Sequence, residues 1–258
     1  MFKTVLCSTL ALVAGSAVVA MADAKDDVSA AAAKLTDSTN YSWKQTSESA
    51  GGGGRGGGPI EGKTEKGGFT VLTMTRGDNS TQVVIKGDKV VMQNRDGDWQ
   101  TAEEMAAAQP APDPNAQGGR RRGRGNMADQ YKNYKFPGEI ASDLASKATK
   151  LDSNDGAITG ELSEDGAKAL MTFGGRGGRR GGGAAAGGGG NGPQIANAKA
   201  TVKFWVKDGV LAKYETHITG TMSRGGNDVD IDRTTTVEIA DVGSTKVEVP
   251  DGAKKKFE

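Results

Sequence analysis

Thr201-Val202-Lys203-Phe204-Trp205-Val206-Lys207-Asp208-Gly209-Val210-Leu211-Ala212-Lys213-Tyr214 is the stretch that decides the fold. Val202, Phe204 and Val206 share one face of it, and Lys203, Trp205 and Lys207 share the other. A period of two belongs to a strand with one buried and one solvated side. Asp208-Gly209 is a turn sequence, because glycine tolerates positive φ. Past that turn, Val210, Ala212, Tyr214 and Ile218 are expected to continue the apolar face opposite Lys213, Glu215 and His217. A third run sets Val229, Ile231, Val237 and Ile239 against Asp230, Asp232 and Glu238, and Val247 and Val249 close the series. The reading is an antiparallel meander with one wet face.

Working outward, strands are expected over residues 41–48, 60–66, 69–76, 82–86, 89–94 and 157–162. Gly67-Gly68, Gly77-Asp78, Gly87-Asp88 and Asp96-Gly97 supply their turns. Helical spacing is shorter-lived. Val28, Ala31, Ala32 and Leu35 define a helix over 27–35. Thr101 and Glu104 form a capping box that opens a helix to 108, ended by Pro110, Pro112 and Pro114. Ile140, Leu144 and Leu151 line a helix over 139–149. Ser163 caps one over 163–171, with Glu164 and Asp165 at its positive end. These helices are the only elements available to cover the apolar face of the sheet.

The first 24 residues have a different character. Lys3 gives a positive start, residues 5–20 an apolar run, and Ala22-Asp23-Ala24 the small-x-small pattern of a cleavage site. Thr4, Ser8, Thr9, Gly15 and Ser16 dilute the run, which is short for a bilayer that needs about 20 apolar residues. Residues 1–24 are therefore expected to be a cleaved signal peptide. Cys7 follows Leu6 and precedes the apolar stretch, which is not the arrangement of a lipobox. The expected mature chain, 25–258, is one periplasmic or secreted domain without a cysteine or a further transmembrane segment.

That domain is interrupted at 50–59, 117–126 and 174–193 by Gly/Arg-rich inserts, expected to be disordered loops. They hold 23 of the 40 glycines and eight arginines: Arg55, Arg120, Arg121, Arg122, Arg124, Arg176, Arg179 and Arg180. None contains an acid, so a net charge of +1 conceals basic inserts on an acidic remainder. Two readings stand. Arg120, Arg121, Arg122, Arg124, Arg176, Arg179 and Arg180 contact anionic envelope polymers or membrane surfaces, or the inserts are solvated spacers, since loop length costs only about 0.6 kcal/mol per doubling. Without interleaved Phe or Tyr, and in an exported protein, specific nucleic-acid binding is not expected.

Catalytic material is scarce. With one histidine and no mature cysteine, His-dependent triads and Cys/His pairs lack their parts, and His217 reads as a surface residue of a strand. No nucleotide-binding loop, zinc-protease motif or nucleophile elbow is present, so neither enzyme activity nor a cofactor is expected. Asp228, Asp230 and Asp232, or Asp152, Asn154 and Asp155, contain the oxygen ligands calcium uses, but read more simply as a solvated strand face and a turn. Trp43, Trp99, Trp205, Phe69, Phe204 and Tyr214 either line an apolar pocket or pack in the core.

Several of these stretches resemble the periplasmic lipoprotein-carrier superfamily, the LolA-like and LppX-like proteins. Asp88-Lys89-Val90-Val91 followed by Gly97-Asp98-Trp99 is similar to its strand–turn–Gly-x-Trp step. Ile158-Thr159-Gly160-Glu161-Leu162-Ser163 is similar to its lead into a helix. Phe204-Trp205-Val206-Lys207-Asp208-Gly209-Val210-Leu211 is similar to its Trp-containing hairpin. Residues 237–250, with Gly243 and Pro250, are similar to its closing strand. The resemblance implies an α+β fold: a curved antiparallel β-sheet, a half-barrel, with short helices on the concave side. It also implies a non-enzymatic protein holding a lipid or lipoprotein acyl chain, or another apolar ligand, between sheet and helices. On that reading the lining candidates are Phe69, Val71, Val202, Phe204, Val206, Tyr214, Ile218, Val229 and Ile231.

Overall fold

A computed structural model describes residues 24–50, 58–94, 96–107, 131–173, 194–224 and 226–258. The expected signal peptide, apart from Ala24, and almost all of the three inserts lie outside the described residues.

Two meanders meet back to back in one antiparallel sheet. The first comprises β1 (Asn40–Ser49), β2 (Ile60–Glu65), β3 (Thr70–Arg76), β4 (Asn79–Lys86), β5 (Lys89–Gln93) and β6 (Trp99–Thr101). The second comprises β7 (Ala148–Asn154), β8 (Ala157–Leu162), β9 (Gln194–Lys207), β10 (Val210–Arg224) and β11 (Asn227–Ala240). Their seam is β1 against β11, in register from Ser42 opposite Ala240 to Ser49 opposite Arg233. The order is β6-β5-β4-β3-β2-β1-β11-β10-β9-β8-β7, and the two outer strands do not pair, so the sheet is curved and open. Among the described residues five helices accompany it: α1 (Ala24–Asp37), α2 (Ala102–Ala107), α3 (Pro137–Lys147), α4 (Glu164–Phe173) and α5 (Asp251–Lys254). The α+β half-barrel expected from the sequence is the fold observed.

Local chemistry accounts for the helix boundaries. Val28, Ala31, Ala32 and Leu35 turn one side of α1 onto the sheet, and all four are buried. Thr101 and Glu104 make the expected reciprocal bonds at the start of α2: the Thr101 N–H donates to Glu104 Oε2 at 2.8 Å, and the Glu104 N–H donates to Thr101 Oγ1 at 3.2 Å. The Ser163 hydroxyl accepts from the Gly166 N–H at 3.2 Å and satisfies a first-turn donor of α4.

Three expectations on the second meander and the tail need correction. The helix drawn over 139–149 stops at Lys147, and Ala148 already has extended geometry (φ −68°, ψ 132°). Leu151 therefore lies on β7, opposite Gly160 of β8. A spacing of seven from Leu144 fits a helix face, but Leu151 is equally well placed on a strand face beside Ser153. Secondly, the register between β9 and β10 shifts between Leu211 and Lys213. This bulge buries Leu211 completely, while Val210 and Ala212, expected on the apolar face, are only half-buried.

Thirdly, Val247 and Val249 do not extend the meander. Asp241 (φ 51°) and Gly243 (φ 79°) turn the chain off the sheet after β11, with the Thr245 N–H and hydroxyl both bonded to the Asp241 carbonyl. The tail then crosses the convex face. Val249 and Ala253 pack on Val71 and Val84, with Phe69, Trp99, Val247 and Phe257 around them. The wet face is thus covered along β3–β6. Lys256 Nζ reaches Glu104 Oε1 at 2.6 Å and ties the tail to α2.

That ion pair makes the tail sensitive to acid. The Lys256 hydrogen bond and the Thr101 N–H hold the Glu104 carboxyl below its ordinary pKa. A carboxylate lowered on folding contributes fully above its unfolded pKa, and the contribution is lost as pH falls through the lower folded value. Protection of the amides of residues 250–257, relative to their intrinsic exchange rate at each pH, should therefore fall below about pH 4.3 in the wild type, and the Glu104→Gln variant should show the lower protection already at pH 7.

Candidate functional site: the concave face of the sheet

Residues directly opposite one another in an antiparallel pair share a face, so the register defines what the concave side presents. One row runs Phe204, Tyr214, Val237, Gln45, Ile60, Met74 and Thr81 across β9, β10, β11, β1, β2, β3 and β4. Another runs Ala200, Ile218, Arg233 and Ser49 across β9, β10, β11 and β1. Nearer the β10–β11 turn the face carries Ile195, Met222 and Val229, with Ile231 opposite Gly220.

The helices divide this face. Under α1 and α3 it is packed solid: Phe204, Val202, Ile218 and Tyr214 are only 0–3 % exposed, as are Val28 and Leu35 above them. An aromatic group extends the packing toward β1. Trp43 lies 6.4 Å from the Tyr134 ring and meets Phe136 edge-on at 6.2 Å, and Tyr131 stacks on Tyr134 at 6.3 Å. Burial raises the hydroxyl pKa values of Tyr41, Tyr134 and Tyr214, so these rings stay neutral and serve as packing with a polar tip. Trp43 sits directly over Gly62 of β2, where any Cβ would lie 2.1 Å from the indole.

Beyond that cover, the apolar wall continues but is no longer sealed. Met74, Leu170, Ile195 and Ile231 are partly buried against the core, and Val229 is 47 % exposed. Leu170 and Met171 of α4 reach this region, with Met171 seated over Gly220 at about 3 Å from the position of a Cβ. Two surface pockets are formed by described residues. One of about 430 Å³ separates the outer sides of α1 and α3 and is lined by Thr36, Asp37, Lys135, Gly138, Glu139 and Asp143 among others. A shallower one of about 350 Å³ lies at the sheet rim around Lys199, Thr221, Asp230 and Asp232 and is also lined by Gly220 and Ile231 of the strip.

Seven of the nine lining candidates come together on this face. Val202, Phe204, Tyr214 and Ile218 are in its sealed part, whereas Val206, Ile231 and Val229 are at its margins. Phe69 and Val71 are placed on the convex side, beneath the C-terminal tail, because Thr70 and Leu72 take the inward positions of β3. Trp99 shares that outer cluster, and the Trp205 ring is covered by Lys213 Nζ at 4.9 Å on the convex side. His217 and the aspartates are outward too: His217 Nε2 lies 2.9 Å from Asp232 Oδ1, and the Thr221 hydroxyl donates to Asp230 at 3.0 Å. The eight insert arginines, the seven anion-contact candidates among them, fall outside the described residues.

Sorting charge by register leaves two cations at inward positions among the described side chains, the exposed Arg76 at the end of β3 and the half-buried Arg233 on β11, and composition alone did not single out the second. Every carboxylate carried by a strand points outward: Glu48, Glu61, Glu65, Asp152, Glu161, Glu215, Asp228, Asp230, Asp232 and Glu238. Arg233 points inward, between Ile231 and Thr235 and in register with Ile218 and Ser49. The signal was present in the parity of β11, whose odd positions 229, 231, 237 and 239 are apolar; Arg233 falls in that series.

A curved, open antiparallel sheet with helices laid in its hollow defines a class of half-barrel proteins. The sequence matches no protein-family model and no curated protein. Among solved structures the chain is similar to LprF from Mycobacterium bovis, at 11 % identity and a TM-score of 0.42, covering 89 % of this chain and 97 % of that one. It is similar also to the lipoprotein LppX of Mycobacterium tuberculosis, at 12 % identity and a TM-score of 0.42, covering 88 % and 98 %.

Proposed function

We propose that this protein is a non-enzymatic, exported carrier that holds an acyl chain or a similar apolar ligand against the concave face. The observation that carries this reading is the wall itself. An apolar surface runs along β9 and β10 from the packed core at Phe204 and Ile218 to the half-covered strip of Ile195, Met222, Val229 and Ile231, with Arg233 of β11 beside it. Covering such a strip with hydrocarbon is favoured by about 25 cal/mol per Å². A chain entering from the strip gains contact first with Leu170 and Met171, and goes deeper only as α4 and then α1 lift from the sheet. The motif resemblance to lipoprotein carriers supports the same reading.

Native mass spectrometry tests it. Protein purified without strong detergent should carry a co-purifying species with the mass of a lipid, released by collisional activation. Repeated recovery of bare polypeptide, together with failure to take up added lipid, would overturn the proposal.

A further inference from the structure

The concave face holds a cation that no strand carboxylate balances among the described residues. Arg233 projects from β11 into the hollow, flanked by Ile231 and Thr235 on its strand and by Ile218 and Ser49 across it. All the strand carboxylates are on the opposite side of the sheet, and among the described residues no acid pairs with Arg233. Its single described hydrogen bond is from Nη2 to the Leu170 carbonyl of α4, at 3.3 Å. That carbonyl lies in the last turn of α4, where the helix has unpaired acceptors and a partial negative charge. One neutral acceptor leaves most of a guanidinium's five donors unused. Nε is buried with no partner.

A buried guanidinium N–H without a partner is disfavoured, and partial burial lowers the group's affinity for its proton without neutralising it. Packing alone does not require a charge there, since the neighbouring inward positions of β11 are filled by Ile231, Thr235 and Val237. The unused donors sit where the sealed wall gives way to the open strip, so a chain lying along Met222, Val229 and Ile231 ends beside them.

On the acyl-carrier reading above, which this inference deepens, we infer that Arg233 anchors the head group of the ligand, and that the ligand is an acyl chain ending in one carboxylate or phosphate. The head-group oxygens take the free guanidinium donors while the hydrocarbon lies on the apolar strip. Carboxylate and phosphate both match the planar fork of arginine, which lysine reproduces only as a point charge.

The test uses the whole chain and ligands that share a C12 tail: dodecanoate, dodecyl phosphate and dodecanol, each displacing the neutral dye Nile red. In the wild type the two anions should displace the dye at concentrations about 10- to 100-fold lower than dodecanol, the range for charge-assisted hydrogen bonds. Whichever anion is tighter identifies the head group. Arg233→Met should remove that preference, and Arg233→Lys should restore part of it. Equal displacement by all three ligands, unchanged in Arg233→Met, would overturn the anchor and leave the carrier reading standing. Failure of the wild type to bind Nile red or any of the three ligands would overturn both. Circular dichroism of each variant separates lost anchoring from lost folding.

Discussion

Replacing Phe204 by alanine is expected to cost about 3–5 kcal/mol of stability and to lower the melting temperature by roughly 6–20 °C. Phe204 is completely buried, faces Ile158 on β8 and Tyr214 on β10, and holds its ring 6.5 Å from that of Tyr214. Removing the ring leaves a void beneath α1, which the rigid sheet refills poorly because three hydrogen-bonded strands fix the surrounding backbone. Against a typical domain stability of about 5–15 kcal/mol, the loss brings the fold near its limit. Trp205→Ala is the control. Its ring lies on the convex side under the Lys213 ammonium, and its loss should cost about 1 kcal/mol, the size of an exposed cation–π contact plus modest burial. Thermal denaturation of the two variants compares the faces directly. Equal destabilisation would mean that the alternation in β9 does not set which side is the core.

The alternation around Phe204 was readable because each side of β9 meets a different medium, and the chain records this residue by residue as Val202, Phe204 and Val206 against Lys203 and Lys207. The same logic placed α1, whose four buried positions are those its helical spacing selects. It failed where one composition serves two periods. Leu151 follows an alanine-rich helix at a helical spacing, yet pairing with β8 decides its state, and that partner is remote from any local signal. Phe69 and Val71 show a second kind of failure. Phe69, Val71 and Val84 are apolar on the side away from the helices, and their cover is the chain's last dozen residues. No pattern within β3 records which side its own tail crosses. Arg233 shows a third. Its inward position follows from parity in β11, but its isolation from every strand carboxylate follows only from the combined register of the sheet.

The C-terminal tail supplies the other large expected effect, because it is held by side chains rather than by strand pairing. Val249→Asp should destabilise the protein by about 3 kcal/mol or more: it forfeits burial of a valine that is 8 % exposed and sets an uncompensated charge against Val71, Val84 and Ala253. Glu248→Ala, one residue away and exposed, should change stability by no more than about 0.5 kcal/mol. Loss of the clasp uncovers Phe69 and Trp99 on the convex face, so a rise in dye binding to exposed apolar surface should accompany the Val249→Asp variant. Tight side-chain packing combined with unpaired backbone has a distinctive signature. The amides of residues 246–249 should exchange with solvent far faster than those of β11, even though Val249 contributes strongly to stability. If they exchange as slowly as the β11 amides, the tail is a strand of the sheet and the convex face is covered by pairing. If Val249→Asp melts with the wild type, the clasp contributes nothing and the outer cluster is held by β3–β6 alone.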